Sequence, residues 1–317
     1  MTDSAIAFFE GKFVPLSEAK ISVQVHGFNY GTAIFEGIRG YYNPDKQEMY
    51  LFRLVDHYRR MLNNCKFIKI ELPYTAQDLA DLTCEMIRRN DFRRDIYVRP
   101  LAYKNACQIG TKLSPGSDYT MFAVPMDDYI ATNRALKVCV SSWRRVEDNS
   151  IPPRGKICGS YVNSALAATE ARDNGFDEAI VLNNDGHVAE GAAMNIFMIR
   201  DGKLVTSPIT ANILEGITRD TLVKIAKEQM GIESEARQID RSELYIAEEL
   251  FFCGTGAQIA PIGSVDNRKI GDGQPGQITL ALQKLYENVV RGHIERYMDW
   301  CTPVYNNAVS VAAEAGA

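Results

Sequence analysis

The 317-residue chain has few cysteines, and they are irregularly spaced. Cys65, Cys84, Cys107, Cys139, Cys158, Cys253 and Cys301 are odd in number and form no CxxC pair. That pattern excludes a disulfide framework or a zinc ribbon and predicts reduced thiols in a cytosolic compartment. Histidine is scarcer still: His26, His57, His187 and His293, no two of them close in sequence. HExxH, GxSxG and the P-loop pattern are absent, so histidine-dependent hydrolysis and P-loop chemistry lose their usual signatures. No apolar run approaches bilayer-spanning length. The N-terminus, MTDSAIAFFEGKF, lacks the basic-then-apolar order of a secretory signal. Excess positive charge is missing too: the net charge of −5 makes a polyanion a poor default partner.

What is present is ordinary for a soluble globular protein, with 46% apolar and 24% charged residues. A chain this long supports a sizeable core, more readily as two domains than one. AIAFF, the turn EGK and FVPL predict a hairpin. TAIFEGIRGYY, EMYLF, DIYVRPLAY and DYTMFAVP predict further strands. Leu54, Val55, Tyr58, Met61, Leu62 and Cys65 have helical spacing. Thr75–Asn90 predicts a second helix, with Thr75 and Asp78 spaced as a capping box. The polar, aperiodic stretch MDDYIATNRA marks an interdomain connection. The expected division is therefore a small domain over 1–125, a connection over 126–135 and a large domain over 136–317. The second half opens with the strand ALKVCVSSW and a helix over SYVNSALAATEARDN, closed by Gly175. Hairpins follow at EAIVLNNDGHVAE and MNIFMIRDGKLVT. Helices are expected from Thr218 to Gly231, from Asp240, and over Gln277–Trp300. Strand runs mixed with helices predict an α+β layering.

Several segments have the residue types of a reactive site. In IPPRGKICGSY, Lys156 lies between Gly155 and Gly159, two residues after Arg154. Such a lysine is a solvated loop residue or a nucleophile whose pKa a nearby cation or burial lowers. Tyr161, five residues on, is a packing aromatic or a phenol beside a group held by that lysine. Alternation in HVAEG puts Glu190 on the face of Val188, so it either reaches water at the strand end or, if buried, needs a cationic partner. Gly216, Ile217 and Thr218 at a helix start, and Gly254, Thr255 and Gly256 after a strand, are caps and turns that also suit a phosphate. Arg53 follows a strand and could reach the same anion. In DIYVRPLAY, Tyr97, Arg99, Leu101 and Tyr103 share a face. Arg99 there needs an anion, either from a substrate or from an internal Asp or Glu.

Seven segments in order, NYGTAIFEGIR, FRLVDHYRRM, YVRP, GKICGSYVNS, AEGAAMNIF, LEGITRD and CGTGAQIAPI, closely resemble the class IV aminotransferases of branched-chain amino acid type. The resemblance runs from about Phe8 to about Val265. It implies the two-domain fold type IV, with a small N-terminal α/β domain and a larger domain whose mixed sheet is barrel-like and flanked by helices. It also implies pyridoxal 5′-phosphate held as a Schiff base on Lys156. Tyr161 would lie near the phenolic oxygen, and Glu190 would keep the pyridine nitrogen protonated. Arg53, Gly216, Ile217, Thr218, Gly254 and Thr255 would form the phosphate cup, and Leu214 would pack on the ring. Tyr97 and the Thr255–Gly256 backbone would take the α-carboxylate, and Ala257 is expected to touch the substrate. Arg99, with Tyr30 and Tyr129, would accept glutamate's second carboxylate. Phe35, Gly37 and Met126 would line the side-chain pocket.

The implied reaction passes the amino group of leucine, isoleucine or valine to 2-oxoglutarate, with Lys156 as general base and acid. A homodimer is implied, in which Tyr30 and the loop near Ile109 and Thr111 reach the neighbour's site. Asn29-Tyr30 stands where the family often has His-Tyr, and Gly159-Ser160 where it often has Gly-Asn. Met126, Met194 and Gly256 also depart, which predicts a roomier pocket. Competing expectations are a D-amino acid transaminase, an (R)-amine transaminase, an aminodeoxychorismate lyase, a cofactor-binding protein without turnover, and an unrelated phosphate-binding module.

Overall fold

The computed structural model describes residues 5–127 and 133–306. The strands are β1 (Ile6–Phe9), β2 (Lys12–Pro15), β3 (Ala33–Phe35), β4 (Ile38–Asn43), β5 (Glu48–Phe52), β6 (Ile96–Tyr103), β7 (Asp118–Pro125), β8 (Leu136–Arg144), β9 (Glu178–Leu182), β10 (Val188–Gly191), β11 (Asn195–Arg200), β12 (Lys203–Thr206), β13 (Ser234–Ala236), β14 (Glu249–Gly254), β15 (Gln258–Val265), β16 (Arg268–Lys269) and β17 (Cys301–Pro303). The α-helices are α1 (His26–Tyr30), α2 (Leu54–Cys65), α3 (Ala76–Asn90), α4 (Tyr161–Asp173), α5 (Ile217–Met230) and α6 (Gln277–Val290).

The chain packs into two units. The first holds the described residues of Met1–Asp127, Lys156–Gly159 and Glu287–Ala317; the second holds those of Asp128–Gly155 and Ser160–Tyr286. This partition differs from a single cut at 126–135, and the reasons are local. Ile157 bridges to Ile34, the Lys156 carbonyl accepts a hydrogen bond from the Phe35 N–H at 3.0 Å, and the Gly159 N–H donates to the Gly31 carbonyl at 3.1 Å. Those contacts draw the lysine segment to the first unit. At the C-terminal end, β17 pairs antiparallel with β5.

The first unit is an eight-stranded antiparallel sheet in the order β17-β5-β4-β6-β7-β1-β2, with β3 also on β6. The expected single strand TAIFEGIRGYY is two strands, broken at Glu36 and Gly37. Helix α2 buries Leu54, His57, Tyr58, Met61, Asn64 and Cys65, an i, i+3, i+4, i+7 stripe that includes two polar side chains. Helix α3 starts at the expected capping box, with the Asp78 N–H donating to Thr75 Oγ1 at 3.1 Å and the Thr75 N–H to Asp78 Oδ2 at 2.8 Å.

The second unit is a nine-stranded mixed sheet in the order β10-β9-β8-β15-β14-β11-β12-β13, with β16 on β15. Parallel pairs β8–β9, β8–β15 and β12–β13 interrupt the antiparallel ones. Its core includes Leu136, Val138, Ile180, Ile196, Met198, Leu250, Phe252 and Ile262. Two expected helices are shorter than their patterns. The segment after Asp240 is one 3-10 stretch, Arg241–Ile246. The terminal helix stops at Val290, because Gly292 takes φ +68° before a 3-10 stretch over Glu295–Trp300. Among the described residues, no helix is long and apolar enough to cross a membrane.

Candidate active site

Lys156 is half-buried, with its Nζ 4.5 Å from the centroid of the Phe35 ring. The glycine three residues after it lies against another loop: a Cβ on Gly31, which sits at φ +67°, would lie 2.7 Å from Gly159 Cα. Close approach of these two loops explains the glycine at 31, whereas a Cβ on Gly159 would make only ordinary contacts, at 3.4 Å or more. Arg154 does not supply the expected cation beside the lysine. Its guanidinium is paired with Asp148 at 3.4 Å and Glu215 at 3.3 Å. Cys158 stays a thiol, because burial pushes its pKa up to about 11 although Arg99 and Lys156 pull the other way.

Around Phe35 the first unit gathers Gly37, Tyr97 and Arg99. A Cβ at Gly37 would collide with the Tyr97 hydroxyl, so only glycine admits that phenol. Arg99 Nη2 donates to the Tyr97 hydroxyl at 3.0 Å, and its guanidinium lies 4.6 Å from the Phe35 ring centroid. Its Nε is buried without a hydrogen-bond acceptor. Among the described residues, no carboxylate lies within ion-pair distance of Arg99. Among the described residues no Asp or Glu takes that place, and the buried guanidinium suits an anionic partner. Tyr30 accepts a hydrogen bond from the Gly110 N–H at 3.0 Å, which joins it to the loop holding Ile109, 86% exposed. Met126 is half-buried just past the end of β7, and Tyr129 lies outside the described residues.

Arg53 takes the left-handed conformation at φ 50° as the N-cap of α2. Its Nε donates to Asp56 at 2.7 Å, and its guanidinium lies 5.4 Å from the Trp300 ring centroid. An arm braced in this way is oriented before any anion arrives.

In the second unit Tyr161 is the first residue of α4. Glu190, 3% exposed, is the most fully braced carboxylate of the set. Arg145 Nη2 lies 2.7 Å from its Oε1, Asn195 Nδ2 donates to its Oε2 at 2.9 Å, and the Leu214 N–H donates to Oε2 at 3.2 Å. The expected alternation with Val188 fails, because the β9–β10 register shifts between Val188 and Glu190. A bulge re-aims the carboxylate while the neighbouring residues stay in the sheet. Arg145, itself 9% exposed and donating through Nε to the Asn212 carbonyl at 3.1 Å, is the cation that the sequence reading did not name. The one available hint was that a buried glutamate requires a cation somewhere in the protein.

Asn195 links the remaining parts. It holds Glu190, donates to the Leu214 carbonyl at 2.9 Å, and pairs across the sheet with Cys253, the residue before Gly254. A Cβ on Gly216 would collide with the Asn195 side-chain oxygen. Gly216, and not Thr218, is the N-cap of α5, and no side chain caps that end. Thr255, Gly256 and Ala257 form the turn between β14 and β15, with Ala257 buried.

The family described as amino-transferase class IV matches residues 33–265. The chain belongs to the class IV aminotransferases. It is 48% identical over 304 residues to a probable branched-chain-amino-acid aminotransferase of Aquifex aeolicus, covering 95% of this chain and 97% of that protein. The branched-chain aminotransferase of the thermophilic archaeon Thermoproteus uzoniensis, solved with norvaline, is 42% identical with a TM-score of 0.91, covering 95% of this chain and all of that one (100%). A T.th. branched-chain amino acid aminotransferase complexed with N-(5′-phosphopyridoxyl)-L-glutamate is 37% identical with a TM-score of 0.89, covering 95% of this chain and 99% of that one. The fold is thus the type IV fold expected from the seven segments. Within this class IV chain, Glu36, His57, Arg60, Arg145 and Asn195 are buried or half-buried polar residues that the motif reading passed over.

Proposed function

We propose that this aminotransferase moves the amino group of leucine, isoleucine or valine to 2-oxoglutarate on pyridoxal 5′-phosphate bound through Lys156. The residues fit that cofactor. Lys156 is a half-buried amine against Phe35, Glu190 is a buried carboxylate already braced by Arg145, and α5 begins without a side-chain cap. When bound, the cofactor supplies the electron sink for the substrate's Cα bond. Glu190 holds a negative charge where the ring nitrogen must keep its proton. Tyr161 would lie near the phenolic oxygen. Arg53, Ile217, Thr218 and Thr255, with the backbone of Gly216 and Gly254, take the phosphate, and Leu214 packs on the ring. Lys156 would carry the proton from the substrate Cα as general base and return it as acid.

The observation that carries the substrate reading is Arg99. It is stacked on Phe35, bonded to the Tyr97 hydroxyl and left without a carboxylate partner among the described residues. Phe35, Gly37 and Met126 offer apolar wall for a branched side chain. Arg99, with Tyr30 and Tyr129, takes the second carboxylate of glutamate, and Tyr97 and the Thr255–Gly256 backbone take the α-carboxylate. The solved relatives with norvaline and with a phosphopyridoxyl-glutamate adduct support both modes. Exposed Val23, Phe28 and Ile109 beside Tyr30 support a homodimer, and seven free cysteines support a reducing cytoplasm.

A donor panel with 2-oxoglutarate tests the reading: leucine, isoleucine and valine are expected to lead, and a lead by D-alanine or an (R)-arylamine overturns it. Arg99→Ala is expected to weaken 2-oxoglutarate use by about 10- to 100-fold, the loss of a charged hydrogen bond, and leucine use far less. Equal losses would show that Arg99 supports the fold and does not select the acceptor.

A further inference from the structure

Lys156 rests on a strand whose next residue makes the most completely buried ion pair of the first unit. Glu36 is 0% exposed and lies between Phe35, which touches Lys156, and Gly37, which admits the Tyr97 hydroxyl. Its two oxygens accept from Arg60 Nε and Nη2 at 2.7 Å each, and Oε2 also accepts from His57 Nδ1 at 2.8 Å. His57 and Arg60 lie on α2, and the His57 N–H donates to the Arg53 carbonyl at 3.1 Å in that helix's first turn. One carboxylate therefore ties the β3–β4 break to the helix whose N-cap is the proposed phosphate arm. A bidentate fork plus an imidazole fixes position and angle together, which a single contact does not.

We propose that Glu36, His57 and Arg60 are positioning residues for this reaction: they set the distance between the Phe35 seat of Lys156 and the Arg53 arm. The proposal rests on the reading of Lys156 as the cofactor lysine. The charge states agree with it. Burial alone would raise the Glu36 pKa, but the Arg60 charge and then the hydrogen bonds from His57 and Arg60 outweigh it, so the carboxyl stays ionised. Burial lowers the His57 pKa below 6.5, and Arg60 and Lys156 lower it further, against the pull of Glu36. The imidazole is neutral, and its Nδ1–H donates to the carboxylate. The cluster's net charge is then zero, so its effect on Lys156 is geometric.

The test compares Glu36→Gln, His57→Leu and His57→Asn as full-length holoenzymes. The Asn amide keeps an N–H near the place of Nδ1. His57→Leu keeps the Glu36–Arg60 pair and carries the test if Glu36→Gln does not fold. We expect kcat per cofactor-loaded subunit to fall about tenfold or more in Glu36→Gln and His57→Leu, with KM for leucine and 2-oxoglutarate within about twofold. The visible circular-dichroism band of the lysine-bound cofactor is expected to change in both, and His57→Asn to restore band and kcat. If thermal stability drops while kcat per loaded subunit and the band stay at wild-type values, the cluster only supports the fold and the inference is overturned. A wild-type protein that takes no pyridoxyl label on Lys156 would overturn the parent reading as well. Label on Lys156 with unaltered variants would overturn this inference alone.

Discussion

Each unit buries one carboxylate next to an arginine, and the two are built differently. Glu36 is gripped by one helix: a guanidinium fork and an imidazole three residues apart on α2. Glu190 is gripped by three segments: Arg145 just after β8, Asn195 at the start of β11, and the Leu214 peptide before α5. The first arrangement locks one strand to one helix. The second gathers separate parts of a sheet around a charge, on a strand whose register bulges to aim it. Glu36 joins one strand to one helix, whereas Glu190, in the proposed site, would supply a charge to the chemistry.

That contrast is easiest to break with the same substitution at both positions. Glu190→Gln keeps the shape and the Asn195 bond but removes the charge that, on the proposed reading, would support the ring nitrogen. A loss of about 10²- to 10³-fold in kcat is expected, on the scale of removing one preorganised electrostatic group. Steady-state kinetics with leucine would show it. Glu36→Gln should lower kcat less, by about tenfold, and should also cost stability. It leaves Arg60 without its carboxylate, and breaking a buried pair costs about 3–5 kcal/mol, read from urea unfolding. A larger kcat loss at Glu36 than at Glu190 would reverse the assignment.

Acid titration sharpens the comparison further. The folded Glu36 pKa is depressed below 4.5, so its stabilisation is fully present above about pH 4.5 and is lost as pH falls toward the folded value. The stability gap between wild type and Glu36→Gln should therefore be constant near neutrality and shrink below about pH 4.5. A gap independent of pH down to about 3 would mean that the carboxyl is not held ionised. The smallest effect belongs to a residue outside both clusters. Thr75→Ala removes the capping box of α3 and should cost about 1 kcal/mol of stability with no change in kcat.

Much of this was legible in the sequence where the signal is local. The lysine segment, the two anion loops, the capping box and most strands are short-range patterns, and their order carried the family. The parts that were not legible depend on distant residues meeting. Glu36 and His57 are separated by 21 positions, and Arg145 and Glu190 by 45. Nothing in FEGIR or SSWRR announces those partners. The spacing Arg53, His57, Arg60 does put three nitrogen-bearing side chains on one helical face, and that stripe was the available clue. The bulge at Ala189 escapes alternation because a bulge adds one residue without changing composition. The division into domains shifts for the same reason: Lys156–Gly159 is drawn to the first unit by long-range backbone bonds to Gly31 and Phe35.

The proposed chemistry stands on one covalent link. Purified protein supplied with pyridoxal 5′-phosphate, reduced with borohydride and cut into peptides should carry a single pyridoxyl label, on the peptide containing Lys156. Label on another lysine, or none on a folded protein, would contradict it.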